Sequence, residues 1–296
     1  MEPEGSGERH FGSRPASQPE ILPPGTYPEP EQGPQQGQPQ GWYPPPHAVP
    51  RPRRHWAMAP ATYVLVGINC AVYVMTLILS GSLSGPTFED PVSYGLLCNG
   101  AFVLSGEWWR LVTSIFVHFG WIHIATNMWC LWNLGLLGEP LLGEFGIIAA
   151  YVLTGVAGNL LSITFNQRPP GQGGVLSAGA SGAVFGLAGV LLMLLRSPLL
   201  PIPQPELKKL RRSVWYFALV NFIIDGGLWL AHTRLQIDNM AHLGGFLSGM
   251  ALGLPLVPRI GAPRARFLRR RAFAVGVMAF LLLLIAWGLR AFHNAG

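Results

Sequence analysis

The chain is 296 residues long; half of them are hydrophobic and only 11% are charged. A soluble domain carries about 25% charged residues, so this composition excludes an ordinary soluble globule and points to a polytopic membrane protein. The net charge of +6 is accordingly no sign of nucleic acid, which is not expected as a partner; the placement of the basic residues says more than their sum.

Residues 1–54 hold 14 of the 27 prolines, with Gly, Gln and Glu and few aliphatics. Such a stretch cannot bury a core, and a disordered cytoplasmic tail is expected. No apolar region follows the start, so it does not read as a signal peptide. Arg51, Arg53 and Arg54 precede the first apolar run, Ala57 to Ser80, which has the length of about 17–25 residues needed to cross a bilayer. Residues 81–119 mix Gly, Pro, Glu89-Asp90 and Glu107-Trp108-Trp109-Arg110 with apolar pieces too short to span. Paired tryptophans beside an arginine suit the headgroup layer, so a long outer loop lying partly in the interface is expected.

Further spans are predicted over Gly120–Leu137, Phe145–Phe165, Ala178 to about Arg196, Val214–Leu230, Asp238–Val257 and Ala272–Leu289. Asp238 reads as the N-cap of the sixth. The fold class is thus all-α: a polytopic membrane bundle of six helices over residues 55–258. A basic linker and a seventh helix follow over 259–296. The segments assigned to the inside hold 14 Lys/Arg next to spans, against four outside: Arg110, Arg168, Arg234 and Arg290. This bias predicts a cytoplasmic N-terminus and an extracellular C-terminus in the plasma membrane. Cys70, Cys98 and Cys130 show neither CxxC nor metal spacing; no disulfide framework, metal or cofactor is expected.

Polar groups inside spans are costly and each marks a candidate site. They are His118, His123, Asn127, Ser181 and His242; Asn69, Asn159 and Asn221 also sit in spans and have no evident shared site. Spans two, four and six all enter from the same side, which puts the groups they carry within roughly 10 Å of the outer helix ends. His123 and Asn127, four apart, share a face. His118 would point elsewhere on a continuous helix and is given a structural role at the loop junction. Taken alone, Gly179-Ala180-Ser181-Gly182 reads as a packing face. Gly182 and Gly186, however, face Gly245, Gly249 and Gly253, and close approach of the two helices would set Ser181 against His242. A desolvated, neutral histidine can take the serine proton. His123, Asn127 and the unpaired N–H groups at the helix start can donate to an oxyanion.

These pieces resemble the rhomboid family of intramembrane serine proteases. Glu107-Trp108-Trp109-Arg110, His118-x4-His123-x3-Asn127, Leu134-Gly135 with Glu139, Gly179-Ala180-Ser181-Gly182 and Asp238-x2-Ala241-His242-Leu243-Gly244-Gly245-x3-Gly249 stand in the family's order. The resemblance implies a Ser181–His242 dyad and an oxyanion hole of His123, Asn127 and the Ser181 N–H. It implies structural roles for Trp109 and Arg110 in the first loop and for Glu139 in an inner-loop network. Phe185 falls where some members place a tyrosine that stacks on the catalytic histidine. The implied partners are transmembrane protein substrates and the lipid bilayer, and the oligomeric state is left open. A catalytically inactive scaffold on the same fold is the alternative. Metal chemistry using His118, His123 and His242 ranks last, because no intramembrane carboxylate or cysteine completes a ligand set.

Overall fold

The structure, a computed structural model, describes residues 59–81, 91–166, 176–200, 202–230, 238–257 and 264–295. The expected tail over 1–54, residues 167–175 and residues 231–237 lie outside them. Ten α-helices are described: α1 (Pro60–Ser80), α2 (Pro91–Leu96), α3 (Gly100–Ser105), α4 (Arg110–Thr113), α5 (Trp121–Leu142), α6 (Glu144–Asn166), α7 (Ser181–Leu194), α8 (Gln204–Leu230), α9 (Asn239–Gly253) and α10 (Arg264–Ala295). Short 3₁₀ turns follow α4 and α9.

The seven longer helices fall on the seven expected spans. Their ends differ where charge, not apolarity, continues the helix. α8 begins at Gln204 and α10 at Arg264, because Lys and Arg are good helix formers and their stems reach back along apolar surface. Among the described residues, three helices, α1, α6 and α10, are long and apolar enough to cross a membrane. A fourth span results if the segment Arg110–Phe116 is counted with α5, to which it is bent by 96°.

α7 is the centre of the bundle: every residue from Gly182 to Leu194 is buried. It packs against α9, α6 and α5. With 14 residues, α7 is only about 21 Å long, against a hydrocarbon core of about 30 Å. Its neighbour α6 lies against the backbone of Ala241 at Gly158 and continues to Asn166. The start of α7 meets the same Ala241 carbonyl at Gly182, and the eight residues by which α6 runs on amount to roughly 12 Å of helix. Around this core, large apolar side chains such as Ile78, Trp129, Ile223, Leu283 and Phe292 face outward, the last 81% exposed. A belt of that size has to be covered, and lipid covers it.

Two buried polar contacts tie the bundle together. Glu139, near the end of α5, accepts hydrogen bonds from Ala61 N (2.9 Å), Thr62 N (2.7 Å) and Thr62 Oγ1 (2.6 Å). α1 starts with Pro60 and has no side-chain cap of its own. Glu139 therefore satisfies, from another helix, the orphan donors every helix start leaves. Asn69 donates to Tyr151 Oη at 3.0 Å, joining α1 to α6.

Candidate active site

The first loop forms a platform beside the start of α7. Arg110 is buried, and its Nε donates to Glu107 Oε2 at 2.7 Å. Its Nη1 donates to the carbonyls of Tyr94 (2.5 Å) and Leu97 (3.1 Å), and the guanidinium lies 4.5 Å over the Phe102 ring. One side chain thus gathers α2, α3 and α4. Trp109 is 54% exposed, as a headgroup-layer aromatic would be. The platform is joined to α6 by Asn159, whose Nδ2 donates to Leu111 O and Ser114 Oγ, both at 2.9 Å.

The segment before Ser181 is pinned to this platform at three successive points. Cys98 and Ser177 exchange backbone hydrogen bonds of 3.0 and 2.8 Å as an isolated antiparallel bridge. Gly179 N donates to Ser114 O at 2.9 Å. Ala180 N donates to His118 Nε2 at 3.3 Å. Gly179 has φ +118°, a conformation that side-chain-bearing residues rarely adopt. A Cβ there would also come within 2.8 Å of His123 Nε2.

The expectation that His118 faces away from His123 is corrected. The chain breaks after Phe116 and restarts at Gly120, with φ +81°, so the two residues do not share a continuous helix. Their rings meet edge to face, 5.0 Å apart. Their hydrogen bonds set opposite tautomers. His118 Nε2 accepts from Ala180 N, so its proton sits on Nδ1, 3.2 Å from Phe116 O. His123 Nδ1 accepts from Phe119 N at 3.4 Å, which leaves Nε2–H free to donate on the side of Gly179.

Asn127 is 7% exposed and spends one amide N–H on His123 O at 2.9 Å; its second N–H remains. On α7 the first backbone bond runs from Val184 N to Ala180 O, so the N–H groups of Ser181, Gly182 and Ala183 stand ahead of the ladder.

α7 and α9 cross at their glycines. A Cβ on Gly245 would fall inside the Gly182 carbonyl, and one on Gly249 inside the Gly186 carbonyl. Gly182 itself lies against Ala241 O, where a Cβ would stand 3.3 Å away. One turn from Ser181 on the same face, the Phe185 ring stacks on His242 with centroids 4.5 Å apart and planes at 21°. Serine and histidine therefore flank one crossing. Phe222 of α8 backs this stack, 4.7 Å from Phe185. Asp238 caps α9 through Ala241 N (3.0 Å) and accepts from Ser162 Oγ at 2.5 Å, so its carboxylate is engaged by α9's backbone and by α6. Among the described residues, no three of His, Cys, Asp or Glu gather into a metal-ligand set.

Asn159 and the Cys98–Ser177 bridge were not legible as site elements. Asn159 shows only as a polar residue within a span, and Cys98 carries no signal at all.

Fold and site together define a polytopic helical membrane protein in which three histidines, His118, His123 and His242, lie about the first turns of a short central helix that Ser181 opens. The chain belongs to the rhomboid family: the Rhomboid domain matches residues 105–259, more than half of it. It is similar to Rhomboid protease GluP of Bacillus subtilis (strain 168), with 31% identity over 223 residues, covering 74% of this chain and 40% of that protein. It is also similar to RHOMBOID-like protein 5 of Arabidopsis thaliana, at 35% over 178 residues, 60% of this chain and 53% of that one. Rhomboid protease AarA of Providencia stuartii is 25% identical over 213 residues, 66% of this chain and 72% of that protein. The chain thus spans 40% and 53% of the lengths of the first two.

Proposed function

We propose that this protein is an intramembrane serine protease that cleaves peptide bonds in or next to transmembrane segments of other membrane proteins. The observation that carries this reading is the crossing of α7 and α9. It puts Ser181 at a helix start and His242 beneath the Phe185 ring on the facing helix. Ser181 Oγ attacks the scissile carbonyl while His242 takes the hydroxyl proton. The protonated histidine then gives that proton to the leaving amine, and water, deprotonated by His242, releases the acyl group from Ser181. Phe185 supports the imidazole by stacking but offers no hydroxyl. His118 holds the Ala180 N–H and braces the approach to Ser181. The sunken start of α7 admits water and an unwound substrate backbone near one membrane face, where alone both are tolerated.

The reading is tested by reconstituting the purified chain in liposomes with a single-span substrate and looking for a cut within or beside its membrane segment. Two discrete products support it. An intact substrate that nevertheless co-purifies with the chain would favour the inactive-scaffold alternative.

Asn127 is assigned as an oxyanion donor beside His123 Nε2–H and the Ser181 N–H. Asn127→Ala is expected to lower kcat by about 10²–10³-fold, the usual cost of one such donor, with little change in KM. Steady-state kinetics in the same liposomes check this. An unchanged kcat would make Asn127 a spectator.

The plasma membrane is the proposed location, with the N-terminus cytoplasmic and the C-terminus extracellular, on the strength of the Lys/Arg bias. Single cysteines at positions 204 and 168 report on this in intact cells. An impermeant maleimide is expected to label 168 only. Labelling of 204 from outside would reverse the orientation.

A further inference from the structure

We infer that α10 is a positioning helix for the segment leading to Ser181, with Arg290 as its positioning residue at the site end; this rests on the protease reading above. Between helices in lipid, apolar contact alone gives little drive to associate, because lipid tails are as apolar as the helix. The polar anchors of α10 therefore decide where it sits, and it has them at both ends. Far from the site, Arg271 Nη1 donates to Leu142 O at the end of α5. Arg270 Nη1 donates to Pro255 O (3.3 Å) and Val257 O (3.4 Å) beyond α9. Both cations meet carbonyls at helix C-termini, where orphan acceptors and the dipole favour them.

At the site end, the Arg290 guanidinium lies 5.7 Å over the ring of Trp108. It also reaches the backbone of Gly106, where a Cβ would stand 3.7 Å from Nη2. Ala286 and Leu282, one and two turns before it, are buried in a cluster with Cys98, Val103 and Leu104 of the first loop. Cys98 in turn holds Ser177 through two backbone hydrogen bonds, and Ser177 is four residues from Ser181. The outer half of α10 thus backs the one loop that pins the approach to the nucleophile. Its apolar part could be replaced by lipid, and Arg290 could not.

The full chain in liposomes tests this with Arg290→Ala and Arg290→Lys, each read in two ways. One is kcat and KM for a single-span substrate; the other is amide hydrogen exchange in peptides covering 96–99 and 176–180. A cation over an aromatic ring contributes enough for Arg290→Ala to lower kcat about two- to fivefold at unchanged KM. Exchange in both peptides should quicken, and Arg290→Lys, which keeps the cation, should recover most of both. Wild-type exchange in Arg290→Ala overturns the inference, whatever happens to kcat. Exchange does not depend on catalysis. If the wild-type chain cleaves nothing while exchange still quickens in Arg290→Ala, the brace stands and the protease reading falls.

Discussion

Ser181→Ala is expected to abolish cleavage of a single-span substrate, lowering kcat on the order of 10⁶-fold, the cost typical of removing a serine nucleophile. His242→Ala should be equally inactive, because nucleophile and base act as one unit, and the double variant should be no worse than either. Stability should scarcely change in Ser181→Ala. Ser181 is only half-buried at the first position of α7, and the contacts that hold this end belong to Gly179, Ala180 and Gly182. Melting temperature and cleavage measured on the same preparation separate the two effects. A folded Ser181→Ala protein that cleaves at the wild-type rate would remove Ser181 from the chemistry. A variant that fails to fold would make the hydroxyl a structural group.

Gly245→Ala is expected to cost the most stability of any single methyl added to the bundle. The new Cβ would occupy the Gly182 carbonyl. Backbone lies on both sides of this contact, so no flexible side chain can move aside to make room. Overpacking a core usually costs about 1–3 kcal/mol; a backbone-on-backbone clash belongs at or above the upper end of that range. The helices must separate, which also draws His242 away from Ser181, so activity should fall with stability. Gly276→Ala on α10 is the control, because a Cβ there meets nothing within 4 Å and alanine improves an exposed helix by about 1 kcal/mol. Thermal unfolding in detergent compares the two. A Gly245→Ala protein that melts with the wild type would mean that the crossing is looser than its glycines imply.

What the sequence revealed followed from short-range pattern. Apolar runs placed α1 and α6 to within a few residues. Glycines flanking Ser181 marked the start of α7, and the i, i+4 glycines of α7 and α9 announced a close crossing. The acidic residue before α9 was recognisable as a cap. The rest depends on contacts between distant segments, which no local period encodes. The break at Val117–Gly120 turns His118 back onto His123, whereas helical spacing had pointed it away. Glu139 was visible as an acid near the end of a span, but not as the cap of α1, some 78 residues earlier. The Cys98–Ser177 bridge joins two irregular stretches with no pattern of their own. The basic starts of α8 and α10 lie outside the apolar runs, because charge ends the apolar face of a helix and not the helix itself.

The proposed catalysis rests on one oxygen atom, Ser181 Oγ, being activated by His242 at the crossing of α7 and α9. The most direct measurement is reaction of the purified, liposome-embedded chain with a fluorophosphonate, followed by mass-spectrometric mapping of the modified residue. A single adduct on Ser181 is predicted, formed slowly or not at all in His242→Ala and absent in Ser181→Ala. A folded wild-type protein that takes up no fluorophosphonate, or takes it up on another residue, would contradict the account.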